Sequence, residues 1–357
     1  MILSAHVDDL KGGAPKKLAL DLLAYLESKF GPCKSEWQEF THTGIKHVQD
    51  KDSILCHQFD YIAQLRPLDL SDYRSIDPNT LVQEKTHSEY SSLLGGVAWT
   101  VLTRAEVSVY VQALQRRGQA PRVVDCRRIN LVVRFLSRQK IGVKYQRVDG
   151  EIRIIGFTDS AFKAQENEGS GLALRGLAVI LANDTVSKNT VFAAGDSIIC
   201  HLLEWLVRRL RRVVRSTFAA ELNALIDSIE TLVLLQLVLH QVYCGTDESV
   251  EELLVKLEHG SLYPPIDLMV DAQSVSDAIA APDVCTPQEA SLKLHLITIR
   301  DRLTRGLLRS LSWCDTRDMV ADPLTKGGVD RKLITRVMDG TLCMQHPVKS
   351  YWGKKGV

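Results

Sequence analysis

At 357 residues, 45% of them hydrophobic and 24% charged, the chain has room for about two domains with real cores and an ordinary soluble composition. A formal net charge of +1 excludes a polybasic protein, so any nucleic-acid surface must be a local patch. Eight dispersed cysteines, with no C-x-x-C pair and no Cys/His spacing suited to zinc, exclude a zinc module and read as reduced intracellular thiols.

From the start, Met1–Leu10 reads as a strand running into the paired acids Asp8 and Asp9 at a hairpin turn. A helix over 15–30 and a Phe40-Thr41-His42-Thr43-Gly44-Ile45 segment follow. Residues 59–65 carry a short helix pattern, and 69–86 is polar and irregular, a loop or linker. Three amphipathic helices are predicted over 88–101, 104–118 and 122–139. Arg116, Arg117, Arg122, Arg127, Arg128, Arg134 and Arg138 make this segment basic, either a solvated face or a groove for a nucleic-acid backbone. Residues 142–145 read as an edge strand opening the next domain.

A β-branched strand over 151–158 runs into Gly156-Phe157-Thr158-Asp159-Ser160-Ala161, which places Asp159 at the strand end. A second strand is expected within 172–181, an insertion over 183–189, and a third strand within 198–205. Arg208, Arg209, Arg211, Arg212 and Arg215 put five arginines in eight residues, a density that favours phosphate contact over a solvated run. Ser216-Thr217 can cap a helix with an apolar stripe through Phe218, Leu222, Leu225, Ile229 and Leu232, and Glu221 is read in its first turn. Thr246–Gly260 reads as an acidic surface loop. Asp271 follows a strand at 266–270 and precedes a helix start. A helix over 291–305 carries His295, and a strand over 308–314 leads through a turn to Asp322 and Pro323. No chemistry is readable from Lys332 onward. No signal peptide is visible, and the most apolar run, Leu232–Leu239, is too short to span a bilayer, so an intracellular protein, cytoplasmic or nuclear, with no membrane partner is expected.

Taken singly, Asp159, Glu221, Asp271 and Asp322 each read as a turn or cap acid. Together they give the order strand-acid, helix-acid, strand-acid, helix-acid. That order resembles the four-carboxylate site of ribonuclease H. The words Gly-Phe-Thr-Asp-Ser-Ala, Arg215-Ser216-Thr217-Phe218-Ala219-Ala220-Glu221, Val270-Asp271-Ala272-Gln273-Ser274 and Asp315–Lys326 resemble the ribonuclease H region of copia-type LTR retrotransposon Pol polyproteins, with Ala272 where that family has asparagine. The opening words resemble the same family's polymerase motif, with His6 where it usually has tyrosine.

The resemblance implies a mixed α/β chain. A truncated reverse-transcriptase palm fragment (1–50) and a helical thumb/connection region (51–145) would precede a ribonuclease H-like domain (146–335), a mixed five-stranded sheet flanked by helices, and a C-terminal tail (336–357). It implies a metal-dependent endoribonuclease that cuts the RNA strand of RNA–DNA hybrids with two Mg2+ ions, or Mn2+, held by Asp159, Glu221, Asp271 and Asp322. Other chains of the same polyprotein are the further expected partners. Asp8 and Asp9 become remnants of a polymerase site, and no polymerase activity is expected of this chain alone. A proofreading-type exonuclease expects a glutamate where Ala161 stands, and a transposase or integrase core expects its glutamate last, whereas Glu221 precedes Asp271. The remaining alternative is a decayed retroelement fragment that binds nucleic acid or has no catalytic activity.

Overall fold

The computed structural model describes residues 1–7, 9–162, 173–185, 191–283 and 289–352. The chain opens with a hairpin of β1 (Ile2–His6) and β2 (Asp9–Gly13), then helix α1 (Lys16–Phe30), which buries none of its residues. The strands β3 (Glu39–His42), β4 (Ile45–Gln49) and β5 (Ser53–His57) lead to a short helix α2 (Phe59–Ile62). Helices α3 (Glu84–Thr100), α4 (Ser108–Gln115) and α5 (Val123–Arg138) follow near their predicted places, and Tyr90, Val97, Leu114, Ile129 and Leu136 form their shared core. β6 (Val143–Gln146) is an edge strand, as expected, but it pairs with β5 and completes the sheet order β3-β4-β5-β6. A long-range ladder, invisible to local pattern, joins it to the sequence before the helices.

Then come β7 (Ile152–Ala161), β8 (Leu174–Asn183), β9 (Ser197–Arg209), α6 (Thr217–Cys244), α7 (Val250–Glu258), β10 (Ile266–Val270), α8 (Gln273–Ala280), α9 (Ser291–Arg305), β11 (Ser310–Trp313), α10 (Asp322–Thr325), α11 (Lys332–Met338), β12 (Thr341–Cys343) and β13 (Lys349–Trp352). The strands form one mixed sheet in the order β12-β9-β8-β7-β10-β11-β13. β8 pairs antiparallel with both β7 and β9, whereas β10 runs parallel to both β7 and β11. The fold is mixed α/β and ribonuclease H-like, and among the described residues this sheet has seven strands in place of the expected five. Both extra strands come from the segment after Lys332, which caps the two edges of the sheet.

The central strands are apolar on both sides because both sides are covered. Ile152, Ile154, Leu177 and Val179 pack on one face with Leu222, Leu225, Ile229 and Leu232 of α6. Ile155, Phe157, Ala178 and Ile180 pack on the other with Val320, Leu324, Ile334 and Val337. α6 is long and apolar enough to cross a membrane by length and composition, which the shorter run read from sequence did not suggest; in this fold its buried face lies on the sheet.

Several local expectations change. β7 continues to Ala161, because its antiparallel ladder with β8 holds as far as Leu174, so Asp159 lies inside the strand. β9 continues to Arg209 by the same mechanism and takes Arg208 into the sheet. Within 246–260 the chain forms α7 and not a loop: Ser249 accepts from the Glu252 amide and Glu252 accepts from the Ser249 amide, a capping box that starts the helix. Glu221 lies one turn inside α6, with Ser216 as the capping residue whose hydroxyl accepts from Ala219 N at 3.1 Å. The expected insertion over 183–189 lies partly outside the described residues.

Two glycines let helices close on the sheet. A Cβ on Gly156 would stand 2.6 Å from Leu232 Cδ1 of α6. One on Gly176 would stand 2.8 Å from Thr325 Cγ2 and 3.1 Å from Leu324 Cβ, so the absence of a side chain there allows α10 to lie directly against β8. A buried ion network ties three strands at one level. Asp267 on β10 accepts from Arg153 of β7 at 3.3 Å, from Arg309 Nε at 3.0 Å and from the Ser310 hydroxyl of β11 at 2.7 Å.

Candidate active site

Register brings the first two acids together. β7 and β10 are parallel, with Phe157 level with Met269. Two residues further on each strand stand Asp159 and Asp271, at the carboxyl ends of neighbouring parallel strands where open α/β sheets gather ligands. Asp322 arrives from the other direction, as the first residue of α10, which Gly176 seats against β8. Asp159, Asp271 and Asp322 each offer a carboxylate oxygen, and these oxygens lie within 4.8 Å of one another. Asp159 is fully buried and Asp322 nearly so.

Glu221, on α6, is not one of the three acids whose oxygens lie within 4.8 Å, but its carboxyl feels the charges of Asp159 and Asp271. The Ser228 hydroxyl, two turns along that helix, donates to Thr158 Oγ1 at 2.9 Å and ties α6 to the strand beside Asp159. Burial raises the Glu221 carboxyl above the usual range, and the charges of Asp159 and Asp271 raise it further. Burial likewise raises Asp159; Lys326 opposes that, while Asp271 and Asp322 add to it. Asp322 is also raised, first by burial, against the pull of Lys326. Asp159, Glu221 and Asp322 thus resist ionising together. Asp271 is not a helix cap: the N-cap of α8 is Ala272, which has no capping group. Its carbonyl accepts from Trp313 Nε1 at 2.9 Å, which fixes the strand end.

Two residues at the centre of the site went unread in the sequence. Lys326 Nζ donates to Asp159 Oδ1 at 3.2 Å and also to Asp322 Oδ1. Burial alone would lower this ammonium, but the charges of Asp159, Asp322 and Asp271 more than offset it and hold it raised. The Thr325 hydroxyl donates to Asp159 Oδ2. The one available signal was the i,i+4 spacing of Asp322 and Lys326. Arg331 holds this turn from behind, donating to the carbonyls of Pro323, Lys326 and Gly327, while Tyr110 of α4 also donates to the Gly327 carbonyl at 2.8 Å.

The arginine run flanks the site. Arg208 and Arg209 end β9, while Arg211, Arg212 and Arg215 are exposed in the turn before α6, pinned by the buried Leu210 and Val214. Ser160 pairs with Arg175 and Arg175 with Arg208, so the run begins two strands from the carboxylates, roughly 10 Å away, at the same end of the sheet. His295 of α9 lies 3.4 Å from Arg212; burial and then the Arg212 charge lower its pKa. Asp9 sits exposed on β2, paired with His6, and joins no group of metal-binding side chains among the described residues. Asp8 lies outside the described residues.

An all-oxygen set of crowded carboxylates suits a hard divalent cation, which prefers oxygen ligands and would offset their mutual repulsion. Asp159, Asp271 and Asp322 would hold it, with Glu221 beside them.

No protein-family model matches the chain, and no curated protein matches it. Among solved structures, LC11-RNase H1 in complex with an RNA/DNA hybrid is similar at 15% identity and a TM-score of 0.29, covering 51% of this chain and 99% of that one. A second structure of LC11-RNase H1, isolated from compost by a metagenomic approach, gives 16% identity, a TM-score of 0.28, and 51% and 98% coverage. The foamy viral protease-reverse transcriptase dRH in complex with double-stranded DNA gives 10% identity and a TM-score of 0.40, covering 83% of this chain and 44% of that one. This chain therefore spans less than half of the foamy viral chain. The grouping of the carboxylates stands on register and packing alone.

Proposed function

We propose that this chain is a ribonuclease H-type endoribonuclease of copia-type retroelement origin, hydrolysing the RNA strand of RNA–DNA hybrids with magnesium. The observation that carries the reading is the meeting of Asp159, Asp271 and Asp322 within 4.8 Å, with the Glu221 carboxyl close enough to feel two of them. When bound there, divalent ions supply an activated water and stabilise the leaving oxygen of a phosphodiester. The chain's own residues do the rest. Asp159 and Asp271 would hold the ions at the carboxyl ends of two central strands, a rigid base that costs little reorganisation at the moment of reaction. Arg208, Arg209, Arg211, Arg212 and Arg215 offer phosphate contacts at the same end of the sheet, positioning a strand without reading its bases. Selection of a hybrid would then rest on duplex shape and 2′-hydroxyl groups.

A second reading has a specific observation behind it: the site already contains a cation of its own, Lys326, on Asp159 and Asp322. A decayed fragment that binds hybrids without cutting them would tolerate that arrangement indefinitely. The test is cleavage of a labelled RNA–DNA hybrid with magnesium, compared with calcium and with Asp159→Asn. RNA-strand cleavage lost in both controls supports the enzyme. Hybrid binding without cleavage in magnesium or manganese supports the second reading.

A further inference from the structure

Between α4, α5 and the end of β9 lies a cavity of about 630 Å³ that none of the clustered carboxylates lines. Its bed is apolar: Leu114 of α4 with Leu131 and Phe135 of α5. Leu131 is 60% exposed and Phe135 38%. Arg104 lies 5.7 Å from the Phe135 ring centroid, so this ring already stacks with a flat cation.

The walls carry positive charge from remote parts of the chain. Arg128 has a nearby acid, Asp125, at 3.5 Å. Arg116, just beyond α4, and Arg209, at the end of β9, have no acidic partner within ion-pair distance among the described residues. Partial burial and then the Arg209 charge lower the pKa of Arg116, and both guanidinium groups line the same cavity. Fold stability gains nothing from such a pair, whereas an anion between them would be held by both. The ligand must therefore combine negative charge with a flat apolar body. The cavity volume also falls in the range of about 300–1,000 Å³ usual for small-molecule sites.

We propose that this cavity binds a nucleoside phosphate, its base against Phe135 and Leu131 and its phosphate between Arg116 and Arg209. Free nucleotides and an unpaired nucleotide at the end of a nucleic-acid strand share this chemistry, because every base has a face that stacks. The inference does not rest on hydrolysis, since none of the four clustered carboxylates lines the cavity.

The test is calorimetric titration of the full chain in EDTA, where metal-dependent chemistry is silent. ATP is expected to bind at one site, with adenosine and pyrophosphate each at least tenfold weaker. Arg116→Gln, Arg209→Gln and Leu131→Ser change exposed residues; each should keep the parent melting temperature and weaken ATP at least tenfold. Asp159→Asn should leave ATP binding unchanged, which separates this site from the fate of the hydrolase reading. A 5′-phosphorylated oligothymidylate that competes with ATP and binds more tightly identifies a strand as the source; failure to compete identifies the free nucleotide. The proposal is overturned if ATP does not bind at millimolar concentration, if the three variants bind it like the parent, or if an acidic aromatic peptide binds as tightly as ATP.

Discussion

Lys326 Nζ lies 3.2 Å from Asp159 Oδ1, so the most buried acid of the cluster meets a cation from the chain itself. The ammonium offsets repulsion among the carboxylates, and a divalent ion would compete with it for the same oxygens. Lys326→Gln is expected to destabilise the metal-free protein by about 1–2 kcal/mol, less than a fully buried pair because this side chain is 36% exposed. Magnesium should stabilise the variant more than the parent, since no internal cation has to be displaced. Melting curves with EDTA and with magnesium check both halves; an unchanged metal-free melting temperature would remove Lys326 from the electrostatics of the site.

The same crowding predicts a pH dependence. Asp159 and Glu221 have raised carboxyls in the folded chain, so above the ordinary carboxylate range the folded state holds more protons than the unfolded one. Metal-free stability should therefore fall as pH rises through that window and level off above it. Lys326 acts at the alkaline end: its raised ammonium contributes stability that is present below the ordinary lysine range and lost as pH rises through the folded value. Saturating magnesium should flatten the first slope. Urea unfolding from about pH 5 to 8, with and without the metal, measures it. A metal-free stability that climbs across that range contradicts the crowded site.

Asp271→Asn separates a metal ligand from a structural acid. Removing one charge from a self-repelling group should leave the metal-free fold as stable as the parent or slightly more so. Magnesium should then stabilise it less, and hybrid cleavage should drop by orders of magnitude. A variant that melts lower in every buffer and still cleaves would return Asp271 to a structural role.

Gly176→Ala tests the seating of α10. The new methyl would meet Thr325 Cγ2 at 2.8 Å and Ala321 O at 3.2 Å, overpacking expected to cost about 1–3 kcal/mol. The turn it displaces carries Asp322, Thr325 and Lys326, so kcat should fall more than KM changes. Parent-like kinetics together with reduced stability would show that the turn can shift without moving its carboxylate.

At the other level of the sheet, Asp267→Ala removes the acid shared by Arg153 and Arg309. Arg153 is fully buried, so its charge is left unpaired, and a loss of about 3–5 kcal/mol is expected in urea unfolding. A loss under 1 kcal/mol would mean that Asp184, which also holds Arg309, carries the network.

The four acids were readable because each stands in a short word at a strand or helix boundary: Gly156–Ala161, Arg215–Glu221, Val270–Ser274 and Asp315–Lys326. Their order was enough to single them out. The capping box of Ser249 and Glu252 was equally local, and reading 246–260 as a loop overlooked it. Lys326 was in view but unremarkable, since a lysine four residues after an aspartate is an everyday helix pair. That it also reaches Asp159, on a strand far upstream, has no local sign. The three- and four-residue strands β12 and β13 carry too little pattern to announce themselves and exist because edge strands were there to pair with.

By itself, then, the sequence determined most of the long strands and helices and the short words that carry the acids, because periodicity, capping and turn chemistry act over a few residues. Tertiary structure decided which of those ends meet. Parallel register levels Asp159 with Asp271, the bare Cα of Gly176 admits the turn of Asp322, and packing of α4 against the end of β9 brings Arg116 and Arg209 to one cavity. Such distances are set by ladders and contacts between residues far apart in the chain, and no local stretch of sequence contains them.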